Sequence, residues 1–299
     1  MMQQRKILFL LIILVVLLGV AWLSGTFDSA PSTIDAPEIE IEAGLIDRIE
    51  ITRAGETFVL ENSEGPWELV SPVAALADSI TVSSLVRNLG DLEIESVVSS
   101  NPDRYGNYGV DSTGSEILVH MGNTMHRLVL SGQGPDFSSV YLRMDGDPRV
   151  FAAVPRFSIP TSMDRWRDKR IFSAASQSVV QARVITPDHS FEMQKDSLGW
   201  LLDVSGEESY ADSAAVARWL RKFSPFRADG FLEYAAADAD PTHKLTLRLS
   251  DGSTFSLEMT KREHDVAATF SGEPGTIYKL YSSRLTTLFP DPSTLRKSQ

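Results

Sequence analysis

The strongest hydrophobic feature of the chain is an uncharged run near its N-terminus. Residues 7–23 are ILFLLIILVVLLGVAWL, and no charged residue follows before Asp28. A helix of about 20 residues, rising 1.5 Å per residue, spans the hydrocarbon core of a bilayer. Arg5 and Lys6 precede the run and several acidic residues follow it, so the positive-inside rule places the N-terminus in the cytoplasm. The pattern predicts a cytoplasmic tail at residues 1–6 and a transmembrane anchor at residues 7–27.

Two other interpretations of this segment are a cleaved signal peptide and a buried helix of a soluble protein. The apolar region of a signal peptide usually covers about 7 to 15 residues and ends in small residues. This run is longer, and Trp22 and Leu23 stand near its end. We therefore favour an uncleaved single-pass anchor. Residues 28–44, which mix proline, serine, threonine and acidic residues, are typical of a linker.

After the linker, hydrophobic positions alternate with polar ones, as expected of strands with one buried face. One helical stripe interrupts the alternation, with apolar residues at i, i+3, i+4 and i+7 and an acidic or hydroxyl residue before it as a candidate N-cap. The alternating pairs are Ile49 with Ile51, Phe58 with Leu60, Ile117 with Val119, and Leu128 with Leu130; the stripe is Val82, Leu85, Val86 and Leu89, with Asp78 or Ser79 as N-cap.

The whole pattern occurs twice. The matching positions include Phe58, Leu60 and Trp67 with Phe191, Met193 and Trp200, Asp78 with Asp212, and the helical stripe with Val216, Trp219, Leu220 and Phe223. We expect an α+β fold of two tandem repeated modules, each an antiparallel sheet with one packed helix, behind the transmembrane helix. The predicted modules are residues 45–155 and 179–290, joined by a helix or linker at 156–178 and followed by a C-terminal tail at 291–299. The repeated tryptophans are interpreted as core anchors.

The composition narrows the range of partners and stabilising bonds. The net charge is -12, which leaves no surplus of cations to neutralise a nucleic-acid backbone. We therefore expect no nucleic-acid partner. The chain has no cysteine, so thiolate nucleophiles, thiolate zinc sites and disulfides are excluded.

No motif in the sequence indicates an enzyme, a cofactor or a metal. Serine never stands in a Gly-x-Ser-x-Gly context, and the five histidines lack helical zinc spacing. His120 and His126 are candidates to face each other across a hairpin, although polar strand faces are the favoured interpretation. The Glu263-His264-Asp265 triplet is best explained as the rim of a hairpin. We predict no catalytic, cofactor-binding or metal-binding residues.

The one concentrated group of cations lies at residues 165–170, between the modules. It contains Arg165, Trp166, Arg167, Lys169 and Arg170. One interpretation is that these cations pair with acidic residues of both modules. The other is that they bind a partner or a lipid headgroup, which makes them the candidate partner-binding residues of the chain.

Several short motifs together resemble a known family. They are Trp67 after a turn, Ala77-Asp78-Ser79 before a helix, Tyr108-Gly109-Val110-Asp111, Tyr141-Leu142-Arg143 and Arg167-Asp168-Lys169-Arg170. In this order, behind an N-terminal anchor, they resemble the family known as domain of unknown function 4340. Ser112-Thr113 departs from the family, which tends to have a proline there.

The resemblance implies a membrane-anchored bacterial envelope protein without an assigned reaction. Members tend to be encoded beside ABC-type transport components, which implies an accessory role. Our first hypothesis is a noncatalytic accessory protein in the bacterial inner membrane, with its C-terminal region in the periplasm, that interacts with an ABC-type transporter or another envelope complex. The alternative is an extracytoplasmic protein that binds a small ligand in the cleft between its modules.

Overall fold

The structure is a computed structural model that describes residues 36–63, 65–232 and 240–297. The predicted cytoplasmic tail, the anchor at 7–27 and most of the linker lie outside these ranges. Within them, no helix is both long enough and apolar enough to cross a membrane. The described chain consists mostly of two large antiparallel sheets with few helices, which confirms the expectation of repeated sheets.

The first sheet has nine antiparallel strands. They are β1 (Arg48–Arg53), β2 (Glu56–Glu61), β3 (Glu68–Ser71), β4 (Ala75–Leu76), β5 (Glu93–Ser99), β6 (Ser115–Met121), β7 (Thr124–Leu130), β8 (Val140–Met144) and β9 (Val150–Val154). Their order across the sheet is β4-β3-β2-β1-β6-β7-β8-β9-β5. Ile49 and Ile51 pair with Val119 and Ile117, so the predicted apolar alternation becomes one buried face.

The second sheet repeats this arrangement strand for strand. Its members are β11 (Val179–Ile185), β12 (Ser190–Lys195), β13 (Trp200–Val204), β14 (Glu207–Tyr210), β16 (Gly230–Phe231), β17 (His243–Leu249), β18 (Thr254–Lys261), β19 (Asp265–Phe270) and β20 (Ile277–Tyr281). The short strands β10 (Arg170–Phe172) and β15 (Phe226–Arg227) pair with each other in a separate sheet. Their order is β14-β13-β12-β11-β17-β18-β19-β20-β16. In each sheet a short fourth strand, β4 or β14, precedes the helix. The hydrophobic pattern did not predict these strands, because β4 has only two residues and β14 is polar.

The main helices begin where the sequence predicts. The α-helices are α1 (Ser79–Gly90), α2 (Tyr105–Tyr108), α3 (Met163–Trp166), α4 (Ser213–Leu220) and α5 (Ser283–Leu288), and the 3-10 turns are Ala43–Leu45, Pro102–Arg104, Arg221–Phe223 and Pro292–Leu295. Asp78 accepts a hydrogen bond from Thr81 N at 2.9 Å, and Asp212 accepts from Ala214 N at 2.8 Å. Both aspartates are therefore the N-caps of their helices.

Contacts divide the chain into two compact units. The first contains the described residues up to Val59 and Ser84–Ile159, and the second contains Leu60–Ser83 and Pro160–Gln299. A cluster in the first unit is built on Val110, Val129 and Val150. The core of the second unit is larger, and the buried face of α4 belongs to it together with the inner face of the second sheet.

The repeated tryptophans have the same backbone role but different burial. Ala77 N donates to Trp67 O at 3.0 Å, and Ala211 N donates to Trp200 O at 2.8 Å. Trp200 is buried in the core, as predicted. The prediction was wrong for Trp67, which is only half-buried. Trp67 precedes its strand, whereas Trp200 is the first residue of β13.

Candidate functional site

The cationic segment at residues 165–170 points its side chains in different directions. Arg165 and Arg170 are exposed, and Lys169 is half-buried. Trp166 is completely buried and Arg167 is only 9% exposed. The five candidate residues therefore do not form one surface patch, because two of them are buried.

Backbone pairing holds the segment in place. Asp78 N donates to Trp166 O at 2.7 Å, and Asp168 N donates to Leu76 O at 2.8 Å. Arg167 forms an isolated antiparallel bridge with Ala77 between these two bonds. The segment behaves as a short strand rather than a free linker.

The C-terminal end of the second module makes the same contact. Asp212 N donates to Leu295 O at 2.7 Å, and Ala211 bridges to Arg296. In both modules the residue before the helix N-cap pairs with an arginine that follows a short helical turn. The segment with Arg167 is therefore the closing element of a module, a role that the sequence repeat did not reveal because the match ended before it.

Ion pairs connect Asp168 and Arg170, which follow Arg167 in the chain, to Arg227 and Asp78. Arg227 Nη2 lies 3.3 Å from Asp78 Oδ2 and 3.4 Å from Asp168 Oδ1. Arg170 pairs with Asp168 at 3.2 Å. Each pair is partly exposed, so it contributes about 1 kcal/mol or less on its own, but the shared carboxylates connect them into a network.

Within the part of the chain that the structure describes, Arg167 has no counter-ion at ion-pair distance. Its guanidinium carbon lies 3.5 Å from the centre of the Phe231 ring, a close cation–π contact. Its Nε atom is buried without a hydrogen-bond partner, and among the described residues the guanidinium has no ion-pair partner either. Burial lowers the pKa of Arg167, and the nearby charges of Glu273 and Asp164 only partly offset that effect. The surroundings therefore disfavour the charge that this side chain carries.

A cavity of about 580 Å³ lies beside this guanidinium, and all its lining residues belong to the second unit. Its walls combine aliphatic and aromatic side chains with one arginine, one aspartate and one threonine. They are formed by Pro72, Val73, Ala74, Met163, Asp164, Arg167, Phe231, Leu232, Gly275, Thr276 and Ile277. The volume falls within the range of about 300 to 1,000 Å³ that is usual for small-molecule sites.

The polar side chains around the cavity are held by the protein. Asp164 Oδ2 accepts a hydrogen bond from Phe231 N at 3.4 Å, and a Cβ atom at Gly230 would lie 2.5 Å from that oxygen. Tyr278, which is buried behind Phe231, donates its hydroxyl proton to Glu273. Burial and this bond raise the pKa of Tyr278, so its hydroxyl stays protonated. The partners of these groups are fixed, which distinguishes them from Arg167.

The other candidates from the sequence are not brought together. Val119 pairs with His126, and His120 pairs with Met125, so the two histidines lie on opposite faces of their hairpin. The residues between β18 and β19 form a turn that includes His264, as expected. Over residues 36–63, 65–232 and 240–297 no group of three metal-ligating side chains occurs.

Comparison with known proteins now gives the family. The model of the family described as domain of unknown function (DUF4340) matches residues 67–249, which is more than half of the chain. The chain belongs to the DUF4340 family. No curated protein and no solved structure matches it. The matched range contains most of the cavity, including Arg167 and Phe231, while the residues from Gly275 to Ile277 lie beyond it.

The sequence alone could not identify the cavity. Phe231 and Ile277 are more than 60 residues from Arg167 in the chain, and their apolar character is equally compatible with a core position. The one local signal is Gly230, which allows Asp164 to approach the backbone before Phe231. The pairing of β16 with β20 is what places Phe231 next to Tyr278.

Proposed function

We propose that this DUF4340 protein is a noncatalytic accessory protein of the bacterial envelope, and that it acts by binding through the surface around Arg167. Residues 7–27 anchor it in the inner membrane, and the two sheet modules lie in the periplasm. Its partner is an ABC-type transport complex or another complex of the envelope. The observation that carries the proposal is a nearly buried arginine beside an open cavity, with no counter-ion among the residues that the structure describes.

Burial of the Arg167 charge is energetically unfavourable. A buried charge is normally paired, because its desolvation is compensated only by an opposite charge or several hydrogen bonds. Arg227 and Arg284 of the same unit are more exposed than Arg167, yet each has a carboxylate partner, at 3.3 and 2.6 Å. Arg167 has no such partner among the described residues, so an acidic group of a binding partner would complete the site. Unfavourable groups of this kind are characteristic of functional sites.

The chemistry of the cavity supports binding rather than catalysis. Its walls supply one cation, one carboxylate and apolar surface. The carboxylate of Asp164 already accepts a hydrogen bond from Phe231 N, and the hydroxyl of Thr276 donates to Glu273 at 3.0 Å. The guanidinium of Arg167 can bind an anion, but the groups of the cavity do not form a nucleophile with an adjacent base.

Co-purification from membranes tests the proposal. The full chain with a C-terminal tag is recovered from solubilised membranes, and bound membrane proteins are identified by mass spectrometry. We expect a membrane-protein partner with the natural chain and with R156M, whose arginine is an exposed residue of the first unit. The partner should be lost with R167M. Equal recovery with both variants, or no partner with the natural chain, would refute the docking role.

The anchor is tested separately with a reporter that is active only outside the cytoplasm. Fused after Gln299, it should be active, because the charges around residues 7–27 export the C-terminus. Activity of a cytoplasmic reporter at the same position would contradict the proposed topology.

A second candidate function is binding of a small ligand. The size of the cavity and the location of all its lining residues in one unit favour this function. Native mass spectrometry distinguishes the two functions. A small molecule retained by the natural chain without a protein partner supports reception, whereas a protein partner without a retained molecule supports docking.

A further inference from the structure

The ligand chemistry of the Arg167 cavity can be derived from its charges and walls. The geometry points to a small monocarboxylic acid with an apolar body, whose carboxylate binds Arg167 and whose body lies against the apolar walls of the cavity. This inference rests on the proposed binding role of the Arg167 surface and adds a ligand class to it.

The position of the guanidinium suits it to bind a planar anion. Phe231 covers one face of it at 3.5 Å, so hydrogen bonding remains for the N–H groups at its edge. The Nε atom has no acceptor among the described residues and is itself buried, so a ligand in the cavity is left with the two terminal nitrogens of the guanidinium. A carboxylate can accept two parallel hydrogen bonds from such an edge, and these charge-assisted pairs are roughly twice as strong as neutral hydrogen bonds.

The surrounding charges favour one negative charge on the ligand over two. Asp164 lines the cavity, and both Asp164 and Glu273 are near enough to act on the Arg167 charge. A phosphate dianion would bring two charges to a site with one unpaired cation and two nearby carboxylates. A carboxylate brings only one charge, so Asp164 and Glu273 repel it less than they repel a dianion.

The walls specify the rest of the ligand. Val73, Met163, Leu232 and Ile277 supply aliphatic surface, and Phe231 supplies an aromatic face. Burial of apolar ligand surface against these walls contributes to affinity in proportion to its area. Asp164 and Thr276 each make one hydrogen bond within the protein. A hydrocarbon body of the ligand can therefore lie against the aliphatic and aromatic walls without displacing these bonds.

Benzoate, benzamide and phenyl phosphate are suitable probes, because they share one apolar ring and differ in charge. Binding to the full chain in detergent micelles is measured by saturation-transfer NMR. We expect benzoate to bind, with benzamide and phenyl phosphate at least about tenfold weaker. Benzamide lacks the charge for a charge-assisted pair, and phenyl phosphate brings a second negative charge near Asp164 and Glu273. R167M should weaken benzoate binding by about tenfold or more. R165M, which removes an exposed arginine of the same segment, should leave it within twofold.

A second variant keeps the charge of Arg167 and reduces the volume of the cavity. V73F enlarges a side chain that lines the cavity and should also abolish benzoate binding, while the circular dichroism spectrum of each variant checks that it is folded. Benzoate binding that is equal in R167M, matched by benzamide, or absent from the folded natural chain would overturn the inference.

Membrane-partner recovery is measured on the same preparations. Loss of benzoate binding with retention of an Arg167-dependent partner refutes the carboxylate ligand only, and the reverse result refutes the docking role only.

Discussion

Replacement of Arg167 by methionine should not destabilise the protein, although the side chain is 9% exposed. Methionine retains the unbranched stem and fills irregular space. The substitution loses a cation–π contact of about 0.5 to 2 kcal/mol. It removes an unpartnered buried Nε, whose desolvation costs about 1 to 3 kcal/mol. Burial is the main cause of the lowered pKa of Arg167. The lowered pKa is consistent with an unfavourable charge at this position. The net expectation is a gain of about 1 kcal/mol in the free energy of unfolding.

The matched control is Arg284 of the same unit. Its Nη2 lies 2.6 Å from Asp229 Oδ1, and the side chain of Asp229 is only 11% exposed. R284M leaves that carboxylate without its cation and should reduce the free energy of unfolding by roughly 1 to 3 kcal/mol. Urea unfolding of the full chain in detergent, followed by tryptophan fluorescence, compares the midpoints at an unchanged slope. If R167M lowers the midpoint as much as R284M does, Arg167 is a stabilising structural residue and the argument for a binding site fails.

Three further substitutions test other parts of the structure. Trp200→Ala should reduce the free energy of unfolding by about 3 to 5 kcal/mol, whereas half-buried Trp67→Ala should have a smaller effect of about 1 kcal/mol, both measured by urea unfolding. Asp212→Ala removes the N-cap of α4 and should lower the midpoint of thermal unfolding. Backbone hydrogen bonds from Ala215 and Ala214 lower the pKa of Asp212, so its stabilising effect should be complete above about pH 4 and disappear as the pH falls through the lowered pKa. A difference between variant and natural chain that persists unchanged to pH 2 would contradict this cause.

The repeated sheets could be predicted because their signals are local. Alternation at positions such as Ile49 and Ile51 identifies a strand with one buried face, and the capping aspartates 78 and 212 identify the start of each helix. Duplication reinforces both signals. The expected N-caps and most of the helical stripe are found where the sequence placed them.

The environment of the cationic segment could not be predicted in the same way. Local sequence shows that Arg165, Arg167 and Arg170 are close together, but not that Arg167 points inward while the other two are exposed. That difference follows from the bridge to Ala77, which is 90 residues away in the chain. The half-burial of Trp67 likewise depends on tertiary packing, since its backbone bond matches that of Trp200.

Site-specific photocrosslinking in cells tests the proposed function most directly. A photoreactive amino acid replaces Val73 at the cavity, or Phe137, which is 96% exposed on the first unit. The proposal predicts a crosslink from position 73 to a membrane protein of the envelope that is absent at position 137 and absent at position 73 when R167M is also present. Crosslinks of equal strength at both positions, or a crosslink at position 73 that is unchanged by R167M, would contradict a docking site at Arg167.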